Sequence, residues 1–425
     1  MKRGAIIATI TTFQLLAQIL IQLIVVKTVG VGAETDAYIA AQAVPVVVGA
    51  VVISALQSVW LPRLSVLSER SIEMRRQIGL GQAQALILSC GLALSFGLTM
   101  SLWLPEFFPG FAASQSAAAT KYSVLFLATF VFTTQSSLLV IALRAQDRFL
   151  IGEIVSLAGT ISSLILIWIF LPIWGLQAAA WLALLRALTV YLFQLHLASW
   201  PRFQTALALK DRDSWRAMRP LLFGASIYKA SPIVDRYWGS LAPSGAITLL
   251  SLAQTVIVSI ATVLERSSVV PLAPTMSRLI ASGDYRQATY LYRRFTIFVA
   301  VVTFAVIGVL FGGAQILQLV LSHVLSLESD TASKLLMLIV ALGGYLFASV
   351  AGAAQAHVLY SMGDTKTPVY VGVSGFAIGF VFKWLLFSYY GVLGIAIATS
   401  CYFLLNIAMF MLCIEIKMRR LEAKK

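Results

Sequence analysis

The side chains in this sequence that could do chemistry are charges set inside long apolar runs. Lys229, Asp235 and Arg236 fall in a run at about 221–241, and Glu265 and Arg266 in the next, at about 247–272. Lys27 closes the first apolar run, and Asp36 opens the second. A charge at the centre of a bilayer costs at least about 2.5–3.5 kcal/mol, so such residues face a partner or a wet cavity. Lys229 stands nine residues after Pro220, and Arg236 follows it by seven residues, two helical turns on nearly the same face. Pro232 between them frees a backbone carbonyl and predicts a bend. Two readings stand side by side. The adjacent pairs Asp235-Arg236 and Glu265-Arg266 could lock helices together, whereas Lys229, with no acidic neighbour beside it, could line a cavity and hold an anion. Arg186 has Glu153 as an expected structural partner, and Lys27 and Lys383 could snorkel outward. Glu34, near Asp36, reads as part of a solvated turn.

No enzyme constellation accompanies these charges. His196, His323 and His357 are isolated, with no metal-ligand spacing. Cys90, Cys401 and Cys413 lie in apolar runs without partner spacing, which supports neither a disulfide framework nor a zinc site. There is no Gly-rich phosphate loop and no nucleophile elbow. The expectation is a transporter without metal or cofactor, with a coupling ion or the membrane potential left open as its energy source.

The elements that position the charges follow from composition. Of 425 residues, 60% are hydrophobic and 11% charged, against roughly 25% charged in soluble domains. The net charge of +14 is scattered between apolar runs, which excludes a nucleic-acid-binding domain and fits basic loops on one side of a membrane. Runs long enough to span a bilayer lie at about 5–26, 37–60, 79–104, 120–143, 150–171 and 175–198, then 221–241, 247–272, 295–314, 335–360, 369–388 and 391–414. The first is longer than a signal peptide's apolar core and reads as an uncleaved helix. The expected fold is an all-α polytopic membrane protein of about twelve transmembrane helices. It comprises a six-helix lobe (1–199), a linker (200–219), a second six-helix lobe (220–414) and a basic tail (415–425). Lys and Arg alternate between connections. Lys2, Arg3, Arg63, Arg70, Arg75, Arg76, Arg144, Arg148, the linker cations from Arg202 to Arg219, those from Arg278 to Arg294, Lys366 and the tail, with Lys424 and Lys425, share one side. Both termini are therefore expected in the cytoplasm. Leu325–Lys334 reads as a short interfacial helix.

The two halves echo each other. At an offset of 212 positions, Ala41–Leu67 matches eight of 27 residues, including Gln42 with Gln254, Pro62 with Pro274 and Ser65 with Ser277. Gly175-Leu176-Gln177 and Gly391-Val392-Leu393 open spans six and twelve alike. Because each half begins inside and has six spans, the lobes should be parallel repeats about a pseudo-two-fold along the membrane normal.

Three stretches carry a family resemblance. GVGAETDAY with its proline-containing span, Arg219–Ser226 through Val234-Asp235-Arg236 to Pro243–Ala246, and Met362-Gly363-Asp364-Thr365-Lys366-Thr367-Pro368 together resemble the MurJ-type lipid II flippases, the mouse-virulence-factor branch of the MOP exporter superfamily. The resemblance implies two lobes in a V around a cationic cavity that takes the diphosphate-sugar head of an undecaprenyl-linked substrate in a bacterial cytoplasmic membrane. A monomer among membrane lipids, with no nucleic acid bound, is expected. Lys27 stands for the family's arginine at the end of helix one, and Asp36 matches its aspartate at the start of helix two. Several features depart from the pattern. Ile21 lies near the place of an earlier arginine, Pro45 is followed by Val46-Val47-Val48-Gly49 without the family's arginine, and Leu252-Ala253-Gln254-Thr255-Val256 replaces a Tyr-Ala-Asp-Arg-Leu run. The sequence has twelve spans where the family has fourteen. The implied cargo is lipid II or another polyprenyl-diphosphate-linked saccharide, such as an exopolysaccharide or O-antigen unit.

The expected function is translocation of such a lipid-linked sugar by alternating access, with Lys27, Asp36, Lys229, Asp235, Arg236, Glu265 and Arg266 lining the cavity. The alternative is a cation-coupled antiporter of drugs or small solutes, as in other branches of the superfamily. That reading needs lone cavity acids, and Asp235 and Glu265 each neighbour an arginine. A membrane glycosyltransferase needs a catalytic carboxylate in a sizeable outer loop, which Pro105–Thr120 and 313–334 do not offer. A scaffold has no need of charged span interiors.

Overall fold

Long apolar runs fold into helices because a bilayer leaves no water to satisfy backbone groups. In the computed structural model, which describes residues 2–67, 71–146, 148–198, 201, 203–313, 318 and 328–422, the regular structure among the described residues is entirely helical. Arg70, Arg202, His323, residues 325–327, Lys424 and Lys425 lie outside the described residues.

The first unit, Met1–Ile247, contains α1 (Lys2–Val29), α2 (Ala33–Ser65), α3 (Ile72–Leu98), α4 (Met100–Phe107), α5 (Ala113–Ala145) and α6 (Phe149–Leu197). The linker forms α7 (Thr205–Lys210). Span seven is two pieces, α8 (Arg212–Lys229) and α9 (Ser231–Ser240). Glu34 and Asp36 sit in the first turn of α2, where the helix dipole favours anions. Ser71 caps α3 by accepting from the Met74 amide. The core cluster joining α2, α3 and α5 centres on fully buried Trp60, Leu56 and Leu138. Close approach there requires Gly81, since a Cβ at that position would lie 2.9 Å from Leu138 and 3.1 Å from the Trp60 ring.

The second unit, Thr248–Lys425, takes most of α10 (Ala246–Leu264), a π-helical turn (Glu265–Val269), α11 (Val270–Ala281), α12 (Tyr285–Gly312), α13 (Ser329–Ala341), α14 (Gly343–Ser361) and α15 (Lys366–Glu422). The expected interfacial helix at Leu325–Lys334 is not separate. Ser329–Lys334 forms the first turns of α13, which runs on into apolar sequence up to Ala341.

Nine helical stretches among the described residues are long and apolar enough to cross a membrane. Two of these fold back into a further segment. α6 turns at Gly175 (φ 59°, ψ −155°) and α15 at Gly391 (φ 57°, ψ −136°), a left-handed conformation that favours glycine. These are the two glycines that open the matching segments in the sequence. The repeat is thus written in backbone conformation as well as in residue type. Gly30 and Gly245, in the turns before α2 and α10, share a φ of 91°, although the 212-residue offset does not pair them.

In the second unit, the Met362–Pro368 junction is held by Asp364. Its carboxylate accepts from the amides of Lys366 and Thr367, both at 3.0 Å, from the Thr367 hydroxyl and from the Lys417 ammonium near the end of α15. Burial works against its charge, but the bonds from Lys417 and Thr367 prevail and hold the carboxyl well below its ordinary range. A depressed carboxylate stabilises the fold fully above the unfolded value of about 4 and loses that contribution as pH falls further. Asp364→Asn is therefore expected to lower the Tm at pH 7 and to flatten its decline below about pH 4. Thermal unfolding in detergent across pH measures both, and an unchanged acid limb would remove Asp364 as its cause.

Candidate cationic site

The bend expected at Pro232 is a break. α8 ends at Lys229, Ala230 takes φ −74°, ψ −6°, and α9 restarts with Pro232 in its first turn. A proline there loses no hydrogen bond, because the first amides of a helix have no internal acceptor. Lys229 is half-buried, and its ammonium donates to the Ala50 carbonyl at 2.8 Å and to the Ser54 hydroxyl, both on α2. Sequence reasoning found the lysine but missed its seat. The available signal was the repeat register, in which Ser54 corresponds to Arg266. Span seven thus delivers a cation to the α2 position whose counterpart carries its own.

Beyond the break, Asp235 is buried and Arg236 is half-buried. The two interact electrostatically, and an Arg236 guanidinium nitrogen lies 3.4 Å from the Pro232 carbonyl. The far end of α9 meets the α4–α5 connection at Gly110, whose amide donates to Ser240 Oγ at 3.4 Å. A Cβ on Gly110 would collide with the Ser240 carbonyl at 1.9 Å.

Asp36 is 3% exposed and accepts from the Gly245 amide at 2.6 Å. It pins the start of α2 to the turn after α9. Gly245 has φ 91° and lies close to Val31, so only a glycine fits this contact without strain. Lys27 is exposed in the last turn of α1.

The expected Arg186–Glu153 pair does not form. Glu153 binds Arg144 at 3.1 Å across the α5–α6 turn, nine residues away in sequence and on the adjoining helix. Arg186 acts electrostatically on Tyr38 instead. Tyr38 packs edge-on against Tyr122 (centroids 5.6 Å apart), and the Tyr122 hydroxyl donates to Glu34 at 3.3 Å. The linker is anchored by Asp211. It accepts from Arg63 at 3.1 Å and from the buried Ser214, and Arg63 also donates to Ser214. Burial opposes the charge of Asp211, but the Ser214 and Arg63 bonds outweigh it and hold the carboxyl below its ordinary range.

In the second unit, Glu265 and Arg266 occupy the first positions of the π-helical turn, both half-buried. π turns are rare and concentrate at functional positions. The Glu265 carboxylate interacts electrostatically with His357 on α14 and with Arg266. Nothing in the sequence distinguished His357 as its neighbour. Lys383 does not snorkel. It is 2% exposed, with its ammonium 5.3 Å from the Tyr402 ring centroid, because the stem turns inward to an aromatic face that stabilises the cation. Among the described residues no cluster of His, Cys, Asp and Glu could hold a metal ion. Lys27, Asp36, Lys229, Asp235 and Arg236 belong to the first unit, and Glu265 and Arg266 to the second.

Comparison with solved structures gives the same architecture. A lipid II flippase MurJ in an inward closed conformation superposes with a TM-score of 0.83 at 14% identity, over 96% of this chain and 87% of that one. A multidrug-resistance MATE transporter of the MOP superfamily, in an inward-facing conformation, gives 0.77 at 15% identity over 99% of each chain. A MOP superfamily transporter from Pyrococcus furiosus gives 0.65 at 14% identity, over 99% of this chain and 96% of that one. At these identities the likeness shows the fold. No curated protein matches at the sequence level. The sequence model of the family described as lipid II flippase MurJ matches residues 7–424. This multi-pass membrane protein therefore belongs to the lipid II flippase MurJ family, with the fold it shares with MOP exporters.

Proposed function

We propose that this protein is a flippase that carries a polyprenyl-diphosphate-linked saccharide across a bacterial cytoplasmic membrane by alternating access. The observation that carries the reading is the family match along nearly the whole chain, from residue 7 to 424. The physical need is plain, since a diphosphate-sugar head cannot enter hydrocarbon without losing its hydration. Lys229 and Arg236 of the first unit replace part of that hydration while the lipid tail stays in the bilayer. The ammonium of Lys229 has three donors, of which Ala50 and Ser54 take two. The third is available to a phosphate oxygen, and its half-exposed position permits that contact. Arg236 supplies a planar guanidinium suited to phosphate. In the same reading Asp36 positions the turn that holds span seven, and the second unit carries a cation of its own, Arg266, in its π turn. The cargo is lipid II or a polysaccharide repeat unit carried on the same lipid.

The test is genetic depletion with complementation. Cells relying on the wild-type chain should keep a low pool of the polyprenyl-linked precursor. Depletion should make the precursor accumulate on the cytoplasmic side. An unchanged pool on depletion would refute the proposal.

A further inference from the structure

A layer of buried amides in the first unit takes no part in the site above. Gln82, Gln84 and Gln194 are fully buried, and Gln135 is 1% exposed. They meet on α5. Gln82 Nε2 donates to the Gln135 carbonyl at 2.9 Å, and the Ser136 hydroxyl donates to Gln194 Oε1 at 2.6 Å. Amides from α3 and α6 thus reach successive residues of α5. Gln84, two residues on and on the opposite face of α3, turns to the linker, with Nε2 3.3 Å from the Ala208 carbonyl and 3.5 Å from the Asp211 carboxylate.

These bonds use one end of the Gln82, Gln84 and Gln194 amides and, at Gln135, the backbone carbonyl alone. Gln82 Oε1, Gln84 Oε1, Gln194 Nε2 and both polar atoms of Gln135 find no partner among the described residues. The same holds for Thr134 Oγ1 and for Trp60 Nε1, whose ring packs over Gly81, the neighbour of Gln82. An unpaired polar atom in a membrane-embedded bundle bears its whole desolvation cost, and so many in one layer are incompatible with a dry interface. Their chemistry selects the occupant. On the α5-facing side two carbonyl oxygens accept, two amide nitrogens and an indole donate, and a hydroxyl does either. A cation would meet the N–H groups, and an anion the carbonyls. Water alone serves both.

We propose that the first unit holds a seam of ordered water between α3, α5 and α6, bounded by Gln82, Gln135, Gln194 and Trp60. The three helices are joined there through exchangeable water bonds beside the apolar packing of the cluster that holds Trp60 and Leu138.

X-ray radiolytic labelling of the full chain in detergent tests this, because radicals formed from bound water oxidise the side chains beside it. Leu138, buried against Gly81, should be oxidised at least about tenfold faster than Leu346, a leucine as deeply buried in the second unit. Equal rates would overturn the seam, and would mean that the amides pair directly with one another. A second measurement uses the sign of a stability change. Gln135→Met should lower the Tm, because it removes both ends of a satisfied amide. A raised Tm would mean that the amide sat dry and costly, and would overturn the proposal. Should Gln135→Met fail to fold, the leucine labelling decides alone.

Discussion

Lys229→Ala is expected to reduce transport by about 10- to 100-fold while leaving the protein inserted, and Ser54→Arg in the same chain to restore most of it. The fold-change follows from a charge-assisted contact worth about 1.5–3 kcal/mol, at 1.4 kcal/mol per factor of ten. The rescue follows from geometry. The Lys229 ammonium rests on the Ala50 carbonyl and the Ser54 hydroxyl of α2, and the repeat register places Arg266 opposite Ser54. An arginine grown from position 54 would put a cation at the same depth without help from span seven. Lys229→Ala with Arg236→Ala should stop transport. Lys229→Arg should keep partial function, since charge persists while geometry changes. The readout is the cytoplasmic pool of lipid-linked precursor in cells relying on each variant. Failure of Ser54→Arg to rescue a well-inserted Lys229→Ala chain would show that the lysine serves as a tie between α8 and α2 and not as a ligand. Normal transport by the double alanine variant would remove both cations from the site.

The second large effect is structural. Asp36→Ala should cost about 1.5–3 kcal/mol, because it leaves the buried Gly245 amide without its charged acceptor. Asp36→Asn should cost less, since an amide oxygen can still accept. Gly245→Ala should match or exceed Asp36→Ala, since it adds a Cβ 2.5 Å from Val31 Cγ1 at a φ of 91°. Thermal unfolding followed by size-exclusion chromatography measures all three. A normal Tm for Asp36→Ala together with lost transport would place Asp36 on the cargo instead of on the turn.

These two sites show what the sequence made legible. The helical, many-span class could be read because apolar length follows directly from bilayer physics. The matching glycines at 175 and 391 even mark the same backbone turn. The charges could be located, since each breaks an apolar run. Their partners could not, because a side chain several carbons long reaches different neighbours depending on packing. Glu153 pairs with Arg144 rather than Arg186, Lys383 turns in to Tyr402 rather than out, and Lys229 lands on Ser54, 175 residues away in the chain. The π turn under Glu265 and Arg266 left no mark in residue type, since its counterpart in α2 is regular helix. Even the break at Ala230 was legible only as a bend at Pro232, because a proline marks where a helix is interrupted but not how its two pieces are supported.

The central claim is that this chain moves a lipid-linked diphosphate sugar between leaflets. Vesicles containing the purified protein and a fluorescent polyprenyl-diphosphate saccharide test it most directly, with an impermeant reagent consuming only the outer-leaflet sugar. The account predicts that wild-type vesicles expose nearly all of the sugar over time. Protein-free vesicles, and vesicles with the Lys229→Ala, Arg236→Ala chain, should expose only the outer half. Exposure limited to half in wild-type vesicles that nonetheless exchange a cationic drug for protons or sodium would contradict it and make the protein an antiporter.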